Sequence, residues 1–537
     1  MPSTDADPDL ILVNAQIRTL DPARPRASAV AVSGGRIVAV GSADEVRDLR
    51  GRGTEVVDLA GATVTPGLVD GHLHPVLGID LVSGTDLSTC RDLSQLRESL
   101  AEAARGVERG GWLQGYGLDH NTFGGQPITR AAIDDVLGGV PAFLRLYDGH
   151  SALVSGEALR LAGITGPREF AQRSTVVCDG DGVPTGYLLE HAAMDLVQHA
   201  MPQTAIADRR KQVRTLLQSM AATGLTGGHV MDLQGDALEL IAGMEDEGEL
   251  PLRLRLAPWC MPGADTDELD RLVAQHGHGG RRWQLAAVKF FIDGTVEGGT
   301  AWLEHADCHG QGTESLWRDP AAFTRAVRHL AAHGVQTATH AIGDAGVRHV
   351  LDTLEGVDTH GVTHRVEHIE TLPASQVPRF AALGVAASMQ PTHSAYTRAD
   401  HTDEWSRRLG GQRADRAWIC RELHDAGATL VLGSDWPIAH FDPREVLATA
   451  RLRRLPSRPD TTPVAPRQAL TALAALEGMT SQSALVAGES AYAGRIAPGF
   501  RADLTAFGLD PVVAPADELA QAPIPLTVVG GQIVHRA

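Results

Sequence analysis

Two kinds of hydrophobic pattern divide the chain. Short β-like runs occupy both ends, and strand-length apolar runs alternate with helical periodicity between them. From Asp9 to Leu59, the runs Leu10-Ile11-Leu12-Val13, Ala29-Val30-Ala31-Val32 and Arg36-Ile37-Val38-Ala39-Val40 read as strands, with Ser33-Gly34-Gly35 as a turn between the last two. The C-terminal stretch repeats this character in Ala502-Asp503-Leu504-Thr505-Ala506-Phe507 and from Leu526 to Val534. Neither end is long enough to bury a core alone. Residues 1–64 and 485–537 are therefore expected to form one small β-sandwich domain built from both ends of the chain.

Residues 65–484 alternate strands with helices, as a (β/α)8 TIM-type barrel requires. The expected strands are Val64–His72, Thr226–Met231, Leu252–Trp259, Leu285–Ile292, Val335–Thr339, Arg365–His368, Val385–Met389 and Thr429–Gly433. Helical periodicity is clear over Pro320–Ala332 and Ala414–Ala426. The Gly-rich stretch from about 90 to 203, which carries Trp112-Leu113-Gln114-Gly115-Tyr116-Gly117, is expected as an insertion near the barrel mouth.

Composition narrows the function classes. The 537 residues carry a formal net charge of −19 with no Lys/Arg-rich block, which argues against nucleic acid or an anionic membrane as partner. The first residues are acidic, with no basic and apolar leader, and there is no apolar run long enough to span a bilayer. The 5 cysteines are widely spaced and suit a reduced cytoplasm better than a disulfide framework. The expected partner is a small-molecule substrate, with a homodimer as a candidate assembly. Only Lys211 and Lys289 are lysines among 47 basic residues. A GC-rich coding bias accounts for the arginines, so a lysine kept inside an apolar strand invites a chemical reason.

Candidate chemistry begins at Val69-Asp70-Gly71-His72-Leu73-His74-Pro75. Histidines at i and i+2 on a strand share a face and can reach one metal ion. The spacing alone is weak: with 23 histidines, about one such pair is expected by chance. His276-Gly277-His278 has the same spacing in a Gly-rich loop and reads as solvent-facing. His72 and His74 differ in following an apolar strand. His340, His368 and Asp435 likewise stand where later strands end, and in a parallel barrel those ends converge on one mouth. Lys289 lies within Ala286-Ala287-Val288-Lys289-Phe290-Phe291-Ile292, where an unpaired ammonium is costly. It has two readings: an ion pair with Asp293 or another acid, or an amine whose lowered pKa lets it add carbon dioxide and become a carbamate ligand.

These pieces resemble the amidohydrolase superfamily, and most closely the amidohydrolase-3 branch that includes N-substituted formamide deformylases. The resemblance rests on Pro66–His74, Lys289 with Asp293-Gly294, Thr339–Asp344, Glu367-His368, Gly433–Pro437 and Gly494–Leu504. It implies that His72, His74 and Asp435 bind one divalent metal, zinc by expectation, and that His340 and His368 bind a second. An N6-carboxylated Lys289 would lie between them; without that modification a single ion is expected. The resemblance further implies hydrolysis of a C–N bond, with Asp435 as general base and then acid. No cysteine takes the place of Lys289, as in D-aminoacylase-type members, and no deaminase-type glutamate stands out. A heterocycle deaminase is one alternative, which Lys289 argues against. A non-catalytic regulatory protein retaining the barrel is another. Tyr116, Asp119, His120, Trp302, Gln390, His393 and Trp436 are candidates for lining the mouth and contacting substrate, although a packing role is the favoured reading of each taken singly.

Overall fold

In the computed structural model, which describes residues 7–537, the architecture is mixed α/β. Eight parallel strands carry the functional residues: β1 (Leu68–Leu73), β2 (Leu225–Leu233), β3 (Arg253–Pro258), β4 (Ala287–Phe291), β5 (Gln336–Ala341), β6 (Arg365–His368), β7 (Ala386–Met389) and β8 (Leu430–Leu432). β1, β2 and β3 form one parallel sheet, extended by Trp283–Leu285, and β4 to β8 form a second in consecutive order. Isolated parallel bridges Trp259↔Lys289 and Leu73↔Trp436 join the two sheets on either side.

Most of these strands are buried on both faces, as expected when helices cover a parallel sheet. The helix Pro320–Ala332 shows how the sequence builds one crossover. Pro320 occupies its first turn, the Asp319 carboxylate accepts from Ala321 N, and Phe323, Ala326, Val327 and Leu330 form the buried stripe. Burying Phe323 alone is worth about 1.5–3 kcal/mol.

Two expected elements are divided. The run Val64–His72 breaks at Gly67: Thr63–Pro66 pairs antiparallel with Leu504–Phe507, whereas β1 pairs with β2. Pro66 has no N–H to continue a ladder, and a Cβ on Gly67 would sit 2.3 Å from Thr226 Oγ1, so the chain changes sheets there. The expected helix Ala414–Ala426 is two short helices, Gly411–Ala414 and Cys420–Asp425. Between them Trp418 adopts a left-handed backbone (φ 44°) and stacks on Trp405 at 5.0 Å. Burial of that indole overrides the local periodicity.

Leu10–Val13, Ala29–Ser33, Arg36–Gly41 and Glu55–Asp58 form a four-stranded sheet. A six-stranded sheet combines Gln16–Arg18, Arg26–Ala27 and Thr63–Pro66 with Leu504–Phe507, Leu526–Val529 and Gln532–Arg536. One apolar cluster, including Leu12, Val30, Val64, Leu504 and Val528, unites them. A separate six-stranded sheet spans Thr85 to Leu189, and its hairpin between Ala142–Leu146 and Ser151–Val154 carries Tyr147–His150 to the wall of a cavity that Lys289 and His340 also line. Among the described residues no helix is long and apolar enough to cross a membrane.

Candidate metal centre

His72 and His74 leave β1 on the same side, as their spacing requires. His72 Nε2 and His74 Nε2 lie 3.3 Å apart, and Asp435 Oδ1 lies 3.5 Å from the first and 3.0 Å from the second. Asp70 positions both elements: one carboxylate oxygen accepts from His72 N and Ser434 N at 3.0 Å each, the other from Ser434 Oγ at 2.6 Å. Gly433 allows the approach, since a Cβ there would meet His72 N at 2.5 Å. His368, His393 and Asp435 form a second group whose donor atoms lie within 4.8 Å of one another. His340 stands beside it, its ring centroid 4.5 Å from that of His368.

Strand geometry alone does not aim every ligand. Glu367 and His368 are consecutive and would point to opposite faces of a regular strand. Left-handed backbone at His368 (φ 75°) and Ile369 (φ 49°) breaks that alternation, and Asp435 (φ 60°) is re-aimed in the same way. Each such residue costs about 1–3 kcal/mol, a strain that clusters at functional sites.

Hydrogen bonds fix which imidazole nitrogen is free. His72 Nδ1 donates to Glu367 Oε2 at 2.6 Å, His340 Nε2 donates to Gly294 O at 3.1 Å, and His368 Nδ1 donates to Gln390 Oε1 at 2.9 Å. In the neutral ring the opposite nitrogen then holds a lone pair. His72, His340 and His368 thus each keep one nitrogen free to donate a lone pair, in a cluster that also holds His74, His393 and the Asp435 carboxylate. The donor set fits a divalent metal ion, and the outer partners supply the orientation such ligands require.

The electrostatics agree. Burial pulls His72 down to about 4, assisted by the charge of Lys289, and keeps His340 and His368 well below their ordinary values. Burial opposes ionisation of Asp435, but His72, His74 and His393 hold it below the usual carboxylate range. Burial likewise opposes Glu367, yet the Arg365 guanidinium holds it well below that range through two hydrogen bonds. Lys289 is 1% exposed, its Nζ 3.5 Å from His72 Nε2 and 4.9 Å from the Phe291 ring centre, and it makes no ion pair among the described residues. Asp293 is engaged elsewhere, accepting from the backbone N–H groups of Trp302, Ile342 and Gly343. Burial lowers Lys289 to about 8, leaving a fraction as free amine at neutral pH.

The amidohydrolase family profile matches residues 55–535, nearly the whole chain. The chain belongs to the amidohydrolase family. It is 30% identical to Protein LONG AFTER FAR-RED 3 of Arabidopsis thaliana over 92% of this chain and 86% of that protein. It is 29% identical to the N-substituted formamide deformylase of Arthrobacter pascens over 97% of each. Its fold is shared with an uncharacterized metal-dependent hydrolase from Pyrococcus horikoshii (TM-score 0.73, 24% identity, 94% of this chain and 99% of that one).

In this amidohydrolase the cavity over the centre is lined by His74, Lys289, His340, His368, His393 and Asp435, with others from the inserted sheet. Of the residues singled out for substrate contact, His393 alone lines it, its Nε2 3.6 Å from Asp435 Oδ2. Tyr116, Asp119 and Trp436 line an adjoining outer cleft; Trp436 packs over Gly78, where a Cβ would lie 2.2 Å from its ring. Gln390 is fully buried as the partner of His368. His120 sits behind the cavity wall with Nε2 3.2 Å from Tyr187 Oη, and Trp302 packs on His349. His276 and His278 lie in the turn that follows the helix Thr266–Gln275.

Sequence reasoning missed His150 and His191, which line the cavity. A signal was present: Asp148-Gly149-His150 repeats Asp70-Gly71-His72, and in both the aspartate accepts from the histidine N–H at 3.0 Å. His150 Nδ1 donates to Glu190 Oε2 at 2.8 Å, and its ring lies 4.8 Å from that of His340.

Proposed function

We propose that this amidohydrolase is a metal-dependent hydrolase of a carbon–nitrogen bond in an amide, an N-substituted formamide or a related group. The observation that carries the reading is the meeting of His74, Lys289, His340, His368 and Asp435 on one cavity, with His72 buried directly beside His74 and Asp435, and with the outer nitrogens of His72, His340 and His368 tied to acceptors. Likeness to a protein named for deformylating N-substituted formamides supports the bond type. The bridges at Trp259↔Lys289 and Leu73↔Trp436 support reading β1 to β8 as one closed (β/α)8 barrel with the centre at its mouth.

His72, His74 and Asp435 would hold one ion, and His340 and His368 a second. The free amine of Lys289 would add carbon dioxide, an N–C bond forming as one C=O π bond opens and a proton leaves, and the resulting carbamate would offer oxygen donors alongside these residues. When bound, divalent metal supplies Lewis acidity that makes water nucleophilic near neutral pH. Asp435, ionised throughout that range, accepts the proton of the attacking water and returns it to the departing nitrogen.

The test joins metal analysis of protein purified without chelator to a hydrolysis screen of N-substituted formamides, acyl amides, carbamates and esters. About two metals per chain with amine release supports the reading in full. Metal-replete protein that cleaves none of these amides overturns it.

A further inference from the structure

The outer cleft contains a buried charge that makes no hydrogen bond or ion pair among the described residues. Arg145 lies on the strand Ala142–Leu146, where Leu144 and Leu146 face an apolar core and Phe143 and Arg145 share the opposite side. Arg145 is 8% exposed, and its guanidinium carbon lies 4.7 Å from the Phe143 ring centre. Among the described residues it makes neither a side-chain hydrogen bond nor an ion pair; the other fully buried arginines, Arg282, Arg365 and Arg453, each donate to at least two oxygen acceptors. The nearest acids are Asp80, already paired with Arg209 at 3.1 Å, and Asp195. Burial brings Arg145 down to about 10, so it stays charged at neutral pH.

A guanidinium with most of its surface buried and no acceptor is costly to keep, and its planar fork, still open to the cleft, is suited to a carboxylate. Arg145 lines the outer cleft together with Arg91 and Arg458, against the acids Asp119 and Glu445. This is a cationic excess in a chain of net charge −19. The cleft and the metal cavity share Leu81, Tyr147, Gly149, Tyr396 and Ile438, so one elongated molecule can reach both. Tyr147 and Tyr396 stack at 4.0 Å with 10° between their planes, forming an aromatic wall along the junction.

Resting on the hydrolytic reading above, we propose that the substrate carries a carboxylate held by Arg145 in the outer cleft while its scissile C–N bond lies at the metal centre. The substrate class is then an N-acyl or N-formyl amino acid bearing an apolar side chain, rather than a neutral N-substituted amide. Arg145 sets this specificity by binding the carboxylate, a group that takes no part in the bond cleavage itself.

Two measurements test this on the metal-loaded enzyme. The first is calorimetric binding of 3-phenylpropanoate against its neutral isostere 3-phenylpropanamide. The carboxylate is expected to bind wild type at least about tenfold more tightly, and Arg145→Met to remove that advantage. The second is the ratio of kcat/KM for N-formylphenylalanine to that for N-formyl-2-phenylethylamine, expected to fall at least about tenfold in Arg145→Met, with partial recovery in Arg145→Lys. Should Arg145→Met fail to fold, the wild-type preference and Arg145→Lys still decide. Equal binding of acid and amide by wild type overturns the proposal. So does an advantage retained without the guanidinium, which would place the carboxylate on the metal, or tighter binding of phenyl phosphate, which would assign the cleft to phosphoryl groups. If the Arg145-dependent binding preference is seen while no formamide is cleaved, the hydrolytic reading fails and the carboxylate site stands.

Discussion

His72 and Glu367 are joined by a 2.6 Å hydrogen bond from Nδ1 to Oε2, although they are 295 positions apart in the chain. Arg365 holds the same carboxylate from the other side and also donates to Gly71 O at 2.6 Å and to Ser388 Oγ at 2.8 Å. One buried arginine thus links β1, β6 and β7 beneath the centre. Glu367 fixes the tautomer that leaves His72 Nε2 free.

Replacing Glu367 with Gln removes the charge that balances Arg365 and weakens the bond to His72. Breaking a buried pair from one side costs about 3–5 kcal/mol. Loss of an outer-shell partner lowers metal affinity about 10–100-fold. Chemical denaturation of metal-free protein and chelator competition of the loaded form should show both effects. An unchanged metal affinity in a folded Glu367→Gln protein would remove Glu367 from this role.

Lys289→Met should fold, because an apolar chain replaces a buried amine that makes no ion pair among the described residues. Metal content is expected to fall from about two ions per chain to about one, with His72, His74 and Asp435 keeping the remaining ion. Inductively coupled plasma analysis reads the change directly. Undiminished content would argue against a carbamate bridge.

Asp435→Asn should keep metal bound through the histidines while kcat falls about 10²–10⁴-fold, since the amide cannot accept the proton. Metal analysis and turnover measured on one preparation separate the two roles. Wild-type turnover in this variant would sink the assignment.

His364 offers a stability test away from the centre. Its Nδ1 accepts from Thr337 N at 3.2 Å, and burial pulls the ring down to about 4. The folded protein therefore disfavours the protonated ring. Stability is fully present above pH 6.5 and is lost as pH falls toward 4, where the loss is complete. Over that window His364 contributes roughly 3 kcal/mol. Denaturation midpoints between pH 7 and 4 should fall less steeply in His364→Gln than in wild type, and parallel slopes would refute the assignment.

The sequence by itself singled out the strand-ending residues His72, His74, His340, His368 and Asp435, which the fold brings together, because consecutive parallel strands end on the same side and imidazole and carboxylate are groups a metal ion can use. It also marked Lys289, since a charge in an apolar run stands out without any structure. The break at Gly67 and the loop at Trp418 were not legible, because partners distant in sequence decide them: the Leu504–Phe507 strand for one and Trp405 for the other. Tertiary structure alone decided which histidine nitrogen faces the centre, through Glu367, Gly294 and Gln390. It also brought His150 and His191 into the cavity and left Arg145, in the outer cleft, without an ion-pair partner among the described residues. Residue identity sets which chemistry is available, whereas lone-pair direction and the pairing of buried charge depend on three-dimensional neighbours that local pattern does not record.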